Sequence, residues 1–297
     1  MKEIIGFIGL GAMGVPMSQR LMEAGFPVVA YDVRKEAVEG AVKKGAQGAS
    51  SPREVAQKTR KVITIVPNSD AVEQVVFGPD GLLEGMKAGD VLIEMTSSYP
   101  PSTLKIHRAL AAKGVNMIDA PVSGGVVGAV AGTLSVMVGG EEKIFEACRP
   151  ILAAMGKNLF YIGGIGFGHA LKAINNFLSA TTLAATSEAL ILASRLGIPP
   201  QRAVEVIQVS TGRNYSTELK IPKFVLPRTF NSGFTMELMH KDINTVTRMA
   251  REYKVPMFMA NLVQELYGSA LARGDRKTDH TEIFSWLEDL AKGKAKA

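Results

Sequence analysis

Cysteine and histidine are scarce in this sequence, which has one cysteine, Cys148, and four histidines among 297 residues. A single cysteine cannot form a disulfide within the chain, and the Cys and His residues lack the spacing of a zinc site. We therefore predict no metal site, a reducing, cytoplasmic environment, and chemistry other than that of a zinc-dependent alcohol dehydrogenase.

Two further features are missing: a dense block of Lys and Arg with interleaved aromatic residues, and an apolar run typical of a membrane span. The net charge of +6 comes partly from a basic tail at 292–296, and such a mild excess suits an anionic small molecule. The longest apolar run, 177–194, contains Glu188 and several Ser and Thr residues, which indicates a buried helix. We predict neither a nucleic-acid partner nor a membrane partner.

The sequence is 46% hydrophobic and 21% charged, which is typical of a soluble globular protein, and its length fits two domains. Short apolar runs alternate with amphipathic segments in the first half, which predicts βαβ units and a parallel sheet. After residue 163 the patterns are helical, beginning with a long one from about 168 to 196. We predict an α/β fold: a Rossmann-type doubly wound domain over 1–163 and an all-α domain over 164–297, joined by a long interdomain helix. Strands are expected at 4–8, 28–31, 62–66, 91–94, 115–118, 134–138 and 160–162.

A glycine-rich turn, Gly9-Leu10-Gly11-Ala12-Met13-Gly14, directly follows the first predicted strand and opens a helix. Each glycine has a role in dinucleotide binding: a tight turn, a close approach to the pyrophosphate, and close packing of helix and strand. Asp32 ends the second strand, where a carboxylate would bind the adenosine ribose and repel a 2′-phosphate. We predict NAD as the cofactor, with NADP left open because Arg34 follows closely.

Later loops should complete the cofactor site, because ligands lie at the carboxyl ends of parallel strands. Val66, Pro67 and Asn68 follow one strand, and Thr96 and Ser97 follow another. These positions are predicted cofactor contacts, with ordinary polar loops as the alternative.

Two segments carry candidate chemistry. Ser123-Gly124-Gly125 can present a hydroxyl and closely spaced backbone N–H groups to a carboxylate, although a turn that needs small residues has the same composition. On the long helix, Lys172, Asn175 and Asn176 share one face at i, i+3 and i+4. A positioned lysine can donate a proton when hydride transfer creates an alkoxide, or accept one in the reverse direction. A solvated helix face is the alternative interpretation.

Together these motifs resemble the β-hydroxyacid dehydrogenase family, which includes 3-hydroxyisobutyrate dehydrogenase and tartronate semialdehyde reductase. The resemblance covers nearly the whole chain and rests on the glycine turn, on 119–125 with Gly128, on Gly168-x-x-x-Lys172-x-x-Asn175-Asn176, and on Lys241-Asp242-Ile243. It implies hydride transfer between NAD(P) and a short 3-hydroxyacid or semialdehyde.

The resemblance also assigns roles to residues. Lys172 would be the catalytic acid/base, Ser123, Gly124 and Gly125 would hold the substrate carboxylate, and Asn176 would orient the substrate. Lys241 would reach the cofactor and Asp242 would line the cleft, although the residues alone suggest a surface ion pair. Members of the family are usually homo-oligomers, which implies a dimer or tetramer.

The substrate and the reaction class leave alternatives. Arg213 lies in a segment similar to one in 2-hydroxymethylglutarate dehydrogenase and could bind a second acidic group of the substrate. It could equally pair with Glu218. An imine reductase-like enzyme and a non-catalytic dinucleotide-binding protein are the alternative functions. Lys172 counts against the former, and Lys172 with Ser123-Gly124-Gly125 counts against the latter.

Overall fold

The computed structural model describes residues 2–274 and 278–292, and the chain divides into two compact units. Unit 1 comprises residues 1–172 and unit 2 comprises residues 173–297. The domain boundary predicted after residue 163 coincides with the end of a strand, Gly156–Gly163. The division between the compact units lies further along the chain, inside the long helix Phe167–Arg195.

Unit 1 contains one sheet whose first six strands run parallel in the order β3-β2-β1-β4-β5-β6. This is the Rossmann order, so the predicted doubly wound α/β fold is confirmed. β8 then lies antiparallel to β6 and to β7, and β9 lies parallel to β8. The strands are β1 (Ile5–Ile8), β2 (Val28–Tyr31), β3 (Gln47–Gly48), β4 (Lys61–Thr64), β5 (Val91–Glu94), β6 (Asn116–Asp119), β7 (Val122–Ser123), β8 (Leu134–Gly140) and β9 (Gly156–Gly163).

Helices cover both faces of this sheet, which is why β1 and β5 are buried along their whole length. One apolar core includes Met17, Leu21 and Leu152, and the core on the other face includes Val72 and Leu110. The helices of this part are α1 (Gly14–Glu23), α2 (Lys35–Val42), α3 (Pro52–Lys58), α4 (Ser69–Phe77), α5 (Leu82–Gly85), α6 (Pro100–Ala111), α7 (Gly125–Ala131) and α8 (Glu142–Met155).

The start of α3 is set by its local sequence. The Ser51 hydroxyl accepts a hydrogen bond from the backbone N–H of Glu54 at 3.1 Å, and Pro52 occupies the first turn. Proline is suited to that turn because its missing N–H has no partner within the helix. This local signal therefore needed no tertiary information.

Unit 2 is helical, as predicted, apart from an isolated antiparallel bridge between Thr235 and Asp279. Its elements are most of α9 (Phe167–Arg195), α10 (Pro200–Gln208), a π-helix (Ser216–Val225), α11 (Met236–Glu252), α12 (Phe258–Arg273), a short 3₁₀ helix (His280–Glu282) and α13 (Ile283–Ala291). The π-helix was not expected from the sequence, which showed no clear helical period there.

α9 is long and apolar enough to span a membrane by length and composition alone. Its middle and final turns instead contribute Ala180, Leu183 and Leu190 to the apolar core of unit 2, where Ile221 and Tyr267 are also buried. The helix also carries buried polar residues in its first three turns. α9 is therefore a core helix, as predicted from the polar residues in the run.

Candidate active site

The glycine-rich turn joins β1 to α1 and is shaped by close backbone packing. Gly9 has φ +99°, and a Cβ atom there would lie 2.1 Å from the carbonyl oxygen of Ile65. A Cβ atom on Gly14 would lie 1.9 Å from the carbonyl oxygen of Gly9. Space beside Gly11 is open, with no protein atom within 4 Å of a Cβ atom built there. The exposed backbone at Gly11 and the free N–H groups at the start of α1 fit a pyrophosphate.

Asp32, at the carboxyl end of β2, is tied directly to this turn. One carboxylate oxygen accepts the Leu10 N–H at 2.7 Å, and the other accepts the backbone N–H and the Nε of Arg34 at 2.9 and 3.0 Å. Burial raises the pKa of Asp32, but the hydrogen bonds from Arg34 and Leu10 outweigh burial and hold the pKa below its ordinary value. The carboxylate therefore stays ionised, as the predicted ribose contact requires, and that contact stays a prediction.

The loops after β4 and β5 are linked to each other. The hydroxyl of Thr96, which is buried, accepts the Val66 N–H at 3.1 Å. The side-chain oxygen of Asn68 caps α4 by accepting the Ala71 N–H at 2.9 Å. Thr96 and Asn68 thus shape these loops, and their direct contact with a cofactor stays a prediction, as it does for Pro67 and Ser97.

Ser123, Gly124 and Gly125 lie where β7 ends and α7 begins. Ser123 is half-buried and both glycines are exposed. Gly124 and Gly125 have φ +128° and +61°, which glycine adopts without strain. The partial exposure of Ser123 and the exposure of both glycines are compatible with the predicted carboxylate contact, which stays a prediction.

Lys172 is buried, with 8% of its surface exposed, in the second turn of α9. The start of this helix is fixed by Asp119 at the end of β6, whose two carboxylate oxygens accept the N–H groups of Gly166 at 2.7 Å and His169 at 2.8 Å. Gly168 allows the close approach, since a Cβ atom there would lie 2.3 Å from the carbonyl oxygen of Met137. The lysine is thereby held at the carboxyl end of the sheet.

In unit 2 the structure brings together Asn175, Asn176, Lys241 and Asp242. The Asn176 side-chain N–H donates to Asp242 at 2.5 Å, and the Asn175 side-chain N–H donates to the Asn176 oxygen at 3.2 Å. The ammonium of Lys241 lies 3.1 Å from the other Asp242 oxygen. Asp242 is buried, and the hydrogen bond that it accepts from Asn176 is an internal link between α9 and α11. The interpretation as a surface ion pair is wrong because it ignored the face of α11 on which Asp242 lies.

Arg213 is not part of this group. Its side chain is 66% exposed and its Nε lies 3.0 Å from Glu218, which is itself about half exposed. The structure thus contains the alternative pairing with Glu218 that the sequence left open.

Sequence reasoning gave no role to three buried residues that contact one another at the start of α9: Glu94, Asp119 and His169. Glu94 and Asp119 each end a strand, and His169 lies three residues before Lys172 on α9. An acid at the end of an otherwise apolar strand was the available signal. No group of three or more His, Cys, Asp or Glu residues is arranged as a metal site within 2–274 and 278–292.

A cleft of about 440 Å³ in unit 2 is lined by residues that include Arg195, Arg228 and Glu288. It contains none of the predicted site residues. Arg228 lies 2.7 Å from Glu288, and Arg195 donates to the carbonyl oxygen of Ala291 at 3.1 Å.

Known proteins resemble both halves of the chain. The family model described as the NAD binding domain of 6-phosphogluconate dehydrogenase matches residues 4–163, and that described as NAD-binding of NADP-dependent 3-hydroxyisobutyrate dehydrogenase matches residues 166–287. The chain belongs to the β-hydroxyacid dehydrogenase family. Its members bind NAD(P) and act on hydroxyacids, so this chain is an NAD(P)-dependent hydroxyacid dehydrogenase.

Individual relatives match over almost their whole length. A 2-(hydroxymethyl)glutarate dehydrogenase of Eubacterium barkeri is 39% identical over 286 residues, which are 96% of this chain and 95% of the relative. A 3-hydroxyisobutyrate dehydrogenase of Pseudomonas aeruginosa is 37% identical over 98% of this chain and 99% of the relative. Among solved structures, a Mycobacterium tuberculosis 3-hydroxyisobutyrate dehydrogenase with L-serine has a TM-score of 0.88 at 29% identity, covering 97% of this chain and 99% of that one.

Proposed function

We propose that this β-hydroxyacid dehydrogenase interconverts a short 3-hydroxyacid and its semialdehyde, with Lys172 as the general acid/base. The observation that carries the proposal is the placement of Lys172. It is buried in the second turn of α9, and Asp119 at the carboxyl end of β6 caps the start of that helix. In a Rossmann sheet the dinucleotide lies at that same edge.

The nicotinamide supplies or accepts the hydride when the cofactor is bound. During reduction, the Lys172 ammonium donates a proton to the oxygen on which negative charge develops; during oxidation, the neutral amine takes the hydroxyl proton. The Ser123 hydroxyl and the N–H groups of Gly124 and Gly125 hold the substrate carboxylate. Asn176 orients the substrate, and Asp242 fixes the Asn176 amide by accepting its N–H.

Lys172→Ala tests this assignment. We expect kcat to fall by about 10²- to 10⁴-fold, the usual contribution of a positioned acid or base. NADH binding, measured by quenching or enhancement of its fluorescence, should stay close to that of the wild type. Near-normal turnover by Lys172→Ala would contradict the mechanism.

A panel of substrates with both cofactors tests the substrate class. Short 3-hydroxyacids, L-serine and their semialdehydes should be turned over in preference to simple alcohols. We propose NAD as the favoured cofactor because Asp32 presents an ionised carboxylate at the ribose position. Turnover of cyclic imines without turnover of hydroxyacids would replace this proposal with an imine reductase-like function.

A second acidic group on the substrate is a further candidate, favoured by the identity to the Eubacterium barkeri enzyme and by Arg213. The exposed Arg213–Glu218 pair would have to open, at a cost of about 1 kcal/mol or less because surface pairs are weak. Arg213→Ala should then raise KM for dianionic substrates and leave KM for L-serine unchanged. An equal effect on both would contradict this role.

We also propose that the enzyme is a cytoplasmic homo-oligomer, a dimer or a tetramer. Within unit 2, α12 exposes Phe258, Met259 and Leu262, and Leu178 on α9 is 55% exposed. Exposed apolar side chains on one element are typical of a surface that another subunit covers. Light scattering coupled to gel filtration measures the subunit number, and a monomer at micromolar concentration would contradict the proposal.

A further inference from the structure

Unit 1 contains a buried polar cluster behind the start of α9, which we call the His169 cluster. Its members are Glu94 at the end of β5, Thr103 on α6, Asp119 at the end of β6, and His169 on α9. Each has 1% or less of its surface exposed. Burying two carboxylates and an imidazole costs folding free energy unless the groups bind one another. The contacts within the cluster are therefore worth following.

The imidazole of His169 has a polar neighbour at each ring nitrogen. Nε2 lies 2.9 Å from a carboxylate oxygen of Glu94, and Nδ1 lies 2.7 Å from the hydroxyl of Thr103. The backbone N–H of the same residue donates to Asp119 at 2.8 Å. The ring is thus contacted on both edges, and the backbone of the same residue is hydrogen-bonded to Asp119. Together these contacts prevent this turn of α9 from rotating about the helix axis.

The cluster continues toward the loops that we propose face the cofactor. The second carboxylate oxygen of Glu94 accepts the backbone N–H of Thr96 at 2.7 Å, and the hydroxyl of Thr96 accepts the N–H of Val66 at 3.1 Å. A single carboxylate thus contacts α9 through His169 and shapes the loops after β5 and β4.

Lys172 lies three residues after His169, on the same side of α9 and about 4.5 Å further along its axis. Holding the ring of His169 in place therefore also sets the direction in which the Lys172 side chain leaves the helix. A misplacement of a catalytic group by about 1 Å can cost about 10²-fold in rate, so the position of this turn bears directly on the rate of the proposed reaction.

We propose that Glu94 and His169 are positioning residues that act as a pair, holding Lys172 in register with the loops after β4 and β5. This inference rests on the proposed function, in which Lys172 is the acid/base. Neither residue takes part in proton transfer itself. Their role is to set where the Lys172 ammonium lies when hydride moves.

The test compares Glu94→Gln, His169→Gln and the double variant with the wild type. The single-turnover rate of NADH oxidation is followed in a stopped-flow instrument with the best semialdehyde of the panel. Each single variant should lose about 10- to 100-fold in that rate, while the Kd for NADH changes by less than about threefold. Because the residues act as a pair, the double variant should be no slower than the slower single variant.

Asp90→Asn is the matched control. Asp90 is a buried carboxylate at the amino end of β5, where it accepts the Lys87 N–H at 2.8 Å and lies 3.2 Å from Nε of Arg60. It resembles Glu94 in burial and partners but lies at the opposite end of the same strand. We expect this variant to lose stability in urea and to keep the wild-type single-turnover rate.

If Glu94→Gln or His169→Gln fails to fold, Thr103→Val removes one contact to the ring while keeping the shape of the side chain. It should slow single turnover by about threefold to tenfold, the effect of one hydrogen bond. Wild-type single-turnover rates in the variants that fold would overturn the positioning role, provided that Lys172→Ala is inactive. An inactive wild type, or an unimpaired Lys172→Ala, would overturn the proposed function and this inference with it.

Discussion

Arg34 lies beside Asp32, the carboxylate that we propose binds the adenosine ribose, so replacing Arg34 should change cofactor selectivity more than activity. Its side chain contacts Asp32 at 3.0 Å and donates from Nη2 to the carbonyl oxygen of Leu10 at 3.0 Å. The guanidinium therefore borders the place where a 2′-phosphate would attach. Arg34→Gln keeps a hydrogen-bonding side chain and removes the charge.

The expected size of the effect follows from exposure. Hydrogen bonds to charged groups contribute about 1.5–3 kcal/mol, but the Arg34 side chain is 58% exposed and solvent weakens the interaction. We take about 1 to 1.4 kcal/mol, which corresponds to a five- to tenfold loss of kcat/KM with NADP. With NAD the change should be less than about threefold, because Asp32 keeps its hydrogen bond from Leu10.

The assay measures initial rates at several concentrations of NAD and of NADP, with the substrate at one saturating concentration. These rates yield kcat/KM for each cofactor, and the ratio of the two values is compared between variants. Arg149→Gln is the control, since Arg149 is an exposed arginine that contacts Glu146 through two hydrogen bonds on α8, away from the turn. It should leave the ratio unchanged. An equal loss with both cofactors in Arg34→Gln would refute the reasoning, because Arg34 would then only support the end of β2.

The structure also predicts how other substitutions and a change of pH affect stability and thiol reactivity. Gly168→Ala should lower the free energy of unfolding, measured by urea titration, by about 1–3 kcal/mol, because its Cβ atom would clash with the Met137 carbonyl. Gly40 lies on α2 with open space around it, so Gly40→Ala should raise the free energy of unfolding by about 0.4–1 kcal/mol in the same titration. Burial raises the pKa of Cys148 to about 11, so a thiol reagent at pH 8 should label it only after denaturation, and rapid labelling of active enzyme would contradict that burial. Burial, assisted by the charge of Lys220, lowers the pKa of His280 to about 3, so below pH 6.5 the unfolded chain binds a proton that the folded chain does not. Stability should therefore fall as the pH drops from about 6.5 toward 3, and His280→Gln should lack that contribution in urea titrations across this range.

The sequence predicted the features that depend on local pattern. Alternating apolar runs located all but the two shortest strands, and the glycines at 9, 11 and 14 located the turn because their spacing reflects backbone geometry. The shared face of Lys172 and Asn176 followed from helical periodicity. The strands β3 and β7 have two residues each, too few for a period to show.

The contacts that position the proposed catalytic face of α9 could not be predicted from the sequence. Asp119 and His169 are 50 positions apart, and no local pattern links them. Asp242 looked like half of a surface pair because Lys241 precedes it, whereas the helix turns its carboxylate inward to Asn176. Long-range hydrogen bonds of this kind depend on strand order and helix rotation, which a single sequence does not specify.

The cap that Asp119 forms on α9 has a consequence for how this enzyme can diversify. Lys172, the acid/base that we propose, and its anchor both lie within residues 1–172, so the position of this lysine depends on contacts made inside that unit. Substitutions after residue 173 can then accumulate without disturbing the hydrogen bonds that fix the first turn of α9. The proposed proton transfer can therefore stay the same during evolution, while substitutions in the second unit change which substrates are recognised.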